Sequence, residues 1–335
     1  MFACCQNFGG FELSRIILDT KAETNNAIGG HPDSRTVEQR LESGFILLDK
    51  PAGPTSHQVA SWVRDLFGLE RLGHGGTLDP FATGVLPLLA GKSMKVTKKV
   101  LTHNKTYIAV FRCSNEPDAE ALSLAMERLT GRVYNVPPEI SAVKVQVRTR
   151  KIYNFEMIQR IGKDFVARID CEAGTYIRTM ARDLGLLLGY KIELKELRRE
   201  KSGAFELDNC VTLQQVADAY WLWKECDKPE AMIKIIHPVE KLLLDLPSAY
   251  VKDSAAAAIA HGAPLMLPGI IEIDSGISSG KELAVFTLKD ELVGIVKLTV
   301  DSDKLSNMES GEVARPNMVL LDQDLYPRRW TTQEK

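Results

Sequence analysis

The sequence has little in it that would direct the chain away from an ordinary folded interior. Cysteines number six, Cys4, Cys5, Cys113, Cys171, Cys210 and Cys226. None forms a C-x-x-C pair or stands at zinc-ligand spacing from a histidine, so neither a disulfide framework nor a metal centre is implied. A reducing compartment fits. No apolar run approaches the roughly 20 residues that a membrane-spanning helix needs. The N-terminus lacks a basic stretch followed by an apolar one, as a secretory signal requires. The expectation is a soluble intracellular chain, cytoplasmic and without a membrane partner. Charge of one sign is lacking too: 42 Lys and Arg face 44 Asp and Glu, giving a net charge of −2 and a pI near 6.3. The basic excess usual in a free-standing nucleic-acid binder is therefore absent.

What is present is enough apolar residue, 44%, to build a sizeable core, and 335 residues of length, enough for two domains. Residues 1–43 carry turn chemistry at Asn25-Asn26, Gly29-Gly30 and His31-Pro32, which predicts an extension, either flexible or packed on another domain. A buried strand is predicted at residues 45–48. A helix follows, capped by Thr55 or Ser56, with Val59, Trp62, Val63, Leu66 and Phe67 as its apolar face. A glycine-rich segment runs from Gly73 to Gly91. Further on, residues 105–113 and the alternation of Phe165, Ala167, Ile169 and Cys171 read as strands, residues 118–130 as a helix stopped by Gly131. Residues 176–188 read as a helix with Ile177, Met180, Ala181, Leu184, Leu187 and Leu188 on one face. The character changes near Leu246-Pro247, where short β-rich runs with turn punctuation suggest a small barrel-like module. The divisions are 1–43, 44–246 and 247–330. Two basic runs break the even charge: five lysines and no acid between Lys92 and Lys105, and a cluster of Lys144, Arg148, Arg150 and Lys151. Such runs are more often solvated faces than RNA grooves.

The segment GHGGTLDPFATGVLP, residues 73–87, is the most informative. Three glycines precede Asp79 and Pro80 follows it, so the backbone must turn sharply and approach a neighbour closely. An aspartate displayed on such a loop suits a nucleophile or general base, although an Asp-Pro dipeptide is commonly just a turn. Gly91-Lys92-Ser93 looks like the end of a phosphate-binding loop, but the glycine that motif requires would stand at Leu86, and the reading fails on spacing. Arg178 falls in the first turn of a helix whose buried face its neighbours supply. It is free to grip a carboxylate or a phosphate, or to sit on the surface. Tyr107 lies in a nearly continuous apolar strand, either as a satisfied core tyrosine or as a platform for an extruded base.

GHGGTLDPFATGVLP resembles the catalytic motif of the TruB-type pseudouridine synthases. LLDKPAGPTSH (47–57), KTYIAV (105–110), PPEISAVK (137–144), EAGTYIRT (172–179) and ELRREKSGAF (196–205) are similar to the remaining blocks of that family, in family order. Within it, the short region between Cys113 and Pro137, the arginine-rich run after SAVK and the C-terminal module resemble the archaeal dyskerin-like catalytic subunit of box H/ACA ribonucleoproteins. Glycine at His74-Gly75-Gly76 departs from the serine or threonine common there. The resemblance implies an α+β fold: a synthase domain on a large, mainly antiparallel mixed sheet flanked by helices, plus a C-terminal PUA β-barrel.

It also implies roles. Asp79 would be the nucleophile, Arg178 its ion-pair partner and Tyr107 the residue stacked on the target base. His74, Lys50, Lys144 and Tyr176 would contact RNA in the cleft, and Lys252 and Gly262 would do so in the PUA module. No metal or organic cofactor is implied, because isomerisation involves no net redox change. The implied partners are a box H/ACA guide RNA, ribosomal and transfer RNA substrates, and small Nop-type, Gar-type and kink-turn-binding ribosomal-like proteins. Uridine 55 of tRNA is a further implied target. Two other readings stay open: a stand-alone tRNA pseudouridine-55 synthase, and a non-catalytic RNA-binding scaffold that keeps the fold.

Overall fold

The structure, a computed structural model, describes residues 14–137 and 147–327. Cys4, Cys5 and Lys144 lie outside the described residues. Chain contacts divide it into two compact units, Phe45–Ile236 and the residues up to Gly44 together with those from His237 onward. Among the described residues no helix is long and apolar enough to cross a membrane.

The first unit is built on one long sheet. Its strands run in the order Ser43–Lys50, Thr83–Gly91, Ile192–Ser202, Lys105–Cys113, Asp164–Cys171, Arg148–Ile161 and Gly131–Asn135. Thr83–Gly91 and Ile192–Ser202 pair in parallel at Thr83↔Arg198 and Gly84↔Arg199. From Ile192–Ser202 outward each pairing is antiparallel. The strand Lys105–Cys113 is central because every second residue is apolar or otherwise accommodated inside: Tyr107, Ala109, Phe111 and Cys113 are all buried. The glycine-rich segment hides two elements from the sequence pattern. Leu72–His74 and Thr83–Gly91 pair as a hairpin inside the glycine-rich segment, and Asp79 sits in the loop joining them.

Helices flank this sheet. Ser56–Phe67 starts at a Thr55 capping box with Gln58 and ends at Gly68 in the left-handed region. Its buried stripe is Val59, Ala60, Val63 and Phe67. Trp62, expected on that face, is 52% exposed, because it lies about 110° around the helix from the stripe's centre. Ile177–Leu188 buries Ile177, Met180, Ala181 and Leu184, while Leu187 turns outward in the last turn. The helix Ala119–Arg128 is capped by Asp118 and ends before Gly131, which opens a strand instead of closing the helix.

In the second unit the strands run Arg15–Ile17, Ile270–Asp274, Ser248–Val251, Glu282–Thr287, Leu292–Leu298, Glu312–Val319 and Leu265–Met266. The helix Asp253–Ala260 packs its alanines and Ile259 into the core of this unit. Glu282–Thr287 and Leu292–Leu298 form the tight hairpin expected there, with Asp290 at φ 63° in its turn. The segment before residue 44 is tied to this unit. Arg15–Ile17 pairs with Ile270–Asp274, and the Asp253 carboxylate accepts from Thr24 Oγ1 at 2.9 Å and from the Asn25 amide at 2.8 Å.

Candidate active site

The Asp79 loop is fixed from both sides by hydrogen bonds. Its own turn closes with the Ala82 amide donating to the Asp79 carbonyl at 3.0 Å, and the Gly53 amide donates to the Pro80 carbonyl at 2.9 Å. Ser56 Oγ accepts from the Leu78 amide at 2.8 Å. Lys50, 0% exposed, donates to the carbonyls of Pro51 at 2.8 Å, Pro80 at 3.1 Å and Ala82 at 2.8 Å. An ammonium has three protons, and all three are used inside. Where the resemblance implies an RNA contact for Lys50, the structure places its ammonium inside, on three backbone carbonyls. Lys50 holds the loop on the C-terminal side of Asp79. Burial, reinforced by the nearby Arg199 cation and opposed by Asp79, pushes its pKa below the ordinary lysine value.

Two glycines on this loop are required by close approach. A Cβ on Gly75 would come within 2.5 Å of Val100 Cγ1 and 3.3 Å of Pro87 Cβ. Gly84 has φ +104°, and a Cβ there would meet the Arg199 carbonyl oxygen at 2.2 Å.

Arg178 reaches the loop from the first turn of the helix Ile177–Leu188. The start of that helix is pinned by buried Asn135, which accepts from the Tyr176 amide at 2.8 Å and donates to the Tyr176 carbonyl at 3.3 Å. Thr179 Oγ1 adds a bond to the Val136 carbonyl at 2.6 Å. Arg178 Nη2 then donates to Asp79 Oδ1 at 2.8 Å, with both side chains about a third exposed. The contact has a single prong, not the bidentate fork a guanidinium can offer, so among the described residues Oδ2 stays unengaged. A carboxylate held by one oxygen and open at the other, on a braced loop at the edge of solvent, is arranged to attack something that arrives from outside.

Tyr107 is 8% exposed, and its cross-strand neighbours are Ile169 and Arg199. Burial raises the phenol pKa, and the nearby Arg199 cation works against that rise. His74 stands on the short strand Leu72–His74, opposite Leu88. Its Nδ1 is buried without a hydrogen-bond partner among the described residues. Burial first, then His57 and Arg199, holds its pKa below the ordinary histidine value, so the ring is neutral at pH 7. An orphaned buried nitrogen is a handle waiting for a group from outside the chain.

Tyr176 is the N-cap residue of the Arg178 helix and half-buried. Lys252 and Gly262 belong to the other unit, at the two ends of the helix Asp253–Ala260. Lys252 Nζ pairs with Asp19 at 2.7 Å, and Gly262 adopts φ +85°. Arg199 was overlooked in the sequence reading. It lies in ELRREKSGAF, and the signal was available: with Leu197 facing inward, period-2 alternation turns Arg199 inward as well.

The sequence was also compared with known proteins. Residues 64–177 match the model "TruB family pseudouridylate synthase (N terminal domain)", and residues 178–244 match "tRNA pseudouridylate synthase B C-terminal domain". Residues 247–320 match "PUA domain", and residues 11–60 match "DKCLD (NUC011) domain". A relative in Pyrobaculum calidifontis, named "Probable tRNA pseudouridine synthase B", is 42% identical over 315 residues, covering 94% of this chain and 95% of that one. Two solved structures are similar throughout. The chain in "Crystal Structure of a Cbf5-Nop10-Gar1 Complex" superposes with a TM-score of 0.87 at 39% identity, covering 95% of this chain and 97% of that one. The chain in "Structure of H/ACA RNP bound to a substrate RNA containing 2'-deoxyuridine" superposes with a TM-score of 0.88 at 37% identity, covering 96% and 98%.

Proposed function

The chain belongs to the TruB family of pseudouridylate synthases, enzymes that isomerise uridine in RNA to pseudouridine, and from that premise we propose that Asp79 is the nucleophile of the reaction here. The observation that carries this is the single-pronged Asp79–Arg178 pair. Arg178 holds Oδ1 and aims the carboxylate, and Oδ2 attacks. Oδ2 bonds to C1′ as the glycosidic bond from C1′ to N1 breaks; the base turns, and C5 then displaces Oδ2 from C1′, so that the C1′–C5 bond forms and the Asp79 carboxylate is returned. The proton displaced from C5 leaves, N1 takes one up, and nothing is oxidised or reduced. Tyr107 packs against the base, and in its phenolate form it accepts the C5 proton. The target uridine is extruded to reach Asp79, at a cost of a few kcal/mol that is least for an unpaired base. Buried His74 Nδ1 supplies a hydrogen-bonding partner for the displaced nucleotide.

The substrate is ribosomal RNA presented by a box H/ACA guide, with Nop-type, Gar-type and kink-turn-binding partner proteins. The support is the similarity over almost the whole chain to proteins solved in such assemblies. Residues 44–246 would be the synthase domain and 247–330 the RNA-binding PUA module, in a cytoplasmic enzyme. Lys252 and Gly262 would contact RNA in that module. The names of the curated relatives favour a second reading, direct action on uridine in tRNA.

The test incubates wild type and Asp79→Asn with unmodified tRNA, and separately with a ribosomal RNA fragment, its guide and the partner proteins. Pseudouridine is read by carbodiimide mapping. Guide-dependent product, absent in the variant, is the expected result. Product on tRNA with no gain from the guide favours the second reading. Tight RNA binding with no product on either substrate returns the protein to the scaffold reading.

A further inference from the structure

The geometry points to Arg199 as the positioning residue that sets Asp79 and Tyr107 in register with each other. The inference rests on the pseudouridine synthase reading of the site. Arg199 is 1% exposed and among the largest fully buried side chains in the described residues. A buried guanidinium is costly unless its donors are used. Here Nε donates to the Val85 carbonyl at 2.7 Å, Nη2 to the Gly76 carbonyl at 3.3 Å, and Nη1 reaches the Thr77 carbonyl at 3.5 Å.

These acceptors bracket Asp79 in sequence, with Gly76 and Thr77 before it and Val85 after it. One rigid fork thus spans the mouth of the loop from its N-terminal limb to the strand it enters. The backbone of Arg199 does the same by another route, pairing with Gly84 so closely that no side chain fits there. On its other edge the strand carrying Arg199 pairs with Tyr107, and the guanidinium charge lies near enough to favour the ionised phenol. Nucleophile loop and phenol are therefore referenced to one side chain that itself touches no substrate.

Lysine cannot reproduce this. It offers one point charge where arginine offers a planar fork with five donors. Lys50 already serves the other limb of the loop through Pro80 and Ala82, so the two cations divide the work and neither replaces the other.

The experiment compares full-length Arg199→Lys and Arg199→Met with wild type and Asp79→Asn under single-turnover conditions, with RNA affinity measured by filter binding. The expected result is RNA affinity within about three-fold of wild type, with the rate at saturating RNA lowered about 100-fold in the methionine variant and about ten-fold in the lysine variant. The rising limb of the rate–pH profile, set by Tyr107 losing its proton, moves to higher pH in Arg199→Met, because the phenol has lost the cation that favoured its ionised form. If the methionine variant does not fold, the lysine variant, which keeps one buried charge, carries the comparison through its rate and affinity. Rates within about three-fold of wild type in folded variants, or a rate loss matched by a loss of RNA affinity, would overturn the assignment. Product from wild type and none from Asp79→Asn keeps a failure of Arg199 separate from a failure of the reaction itself.

Discussion

A buried lysine beside the site shows how much a single residue contributes. Lys105 begins the strand that carries Tyr107, is nearly inaccessible, and donates to the carbonyls of Val100 and His103 at 3.3 and 2.6 Å. Burial, with the Arg199 cation adding to it and Cys171 opposing it, brings its pKa down to about 7. An unfolded lysine titrates near 10.4. Between these values the unfolded chain binds a proton that the folded chain has shed. Stability therefore rises with pH from about 7 to about 10, by up to roughly 1.4 kcal/mol per pH unit. Lys105→Met should remove that slope. Urea unfolding of both proteins from pH 6 to pH 10 checks it, and parallel curves would contradict it. Residues of this kind were not legible beforehand. A lysine in KTYIAV gives no sign that its ammonium is inside, just as Lys50 looked like a cleft residue until its three carbonyl partners were in place. Asp79 was legible because glycine and proline around it constrain the backbone whatever lies nearby.

At the level of the element, the helix Ile177–Leu188 presents Arg178 only because its first turn is anchored. Asn135→Ala deprives the Tyr176 amide of its buried acceptor, which costs about 1–3 kcal/mol, and loosens the turn that aims Arg178. The expected outcome is a lower urea midpoint together with a reduced single-turnover rate. An unchanged midpoint would show that the anchor is dispensable. Elements with clear signals were read correctly: the nearly continuous apolar strand Lys105–Cys113, the alternation in Asp164–Cys171, and the capped helix Ser56–Phe67. Thr83–Gly91 was missed for a physical reason. Its interior is buried on both faces, so it has no alternation to detect, and Gly84 and Pro87 look like turn residues. Ile192–Ser202, crowded with charges, was missed because its burial comes from pairing in mid-sheet and not from apolar composition.

Across the whole molecule, one unit is a continuous stretch, Phe45–Ile236, and the other is joined from the residues up to Gly44 and those from His237 onward. In the second unit, Asp253 holds Thr24 and Asn25, and the buried Glu291 carboxylate accepts from Tyr326 Oη at 2.5 Å and from the Gly30 amide at 3.1 Å. Asp253→Ala should free the segment around residues 19–28. Limited proteolysis is expected to cut there faster than in wild type, with a modest fall in melting temperature; unchanged cleavage would place the attachment elsewhere. Such long-range ties leave no local pattern, which is why residues 1–43 read as either a flexible tail or a packed arm.

The most direct test of the central claim is the single-turnover conversion of uridine to pseudouridine by Asp79→Asn, with RNA affinity measured on the same preparation. Asparagine keeps the size of the side chain and its bond to Arg178 while removing the nucleophilic charge. Affinity close to wild type with no detectable pseudouridine is the expected result. Product formed at a rate near wild type would mean that Asp79 is not the nucleophile.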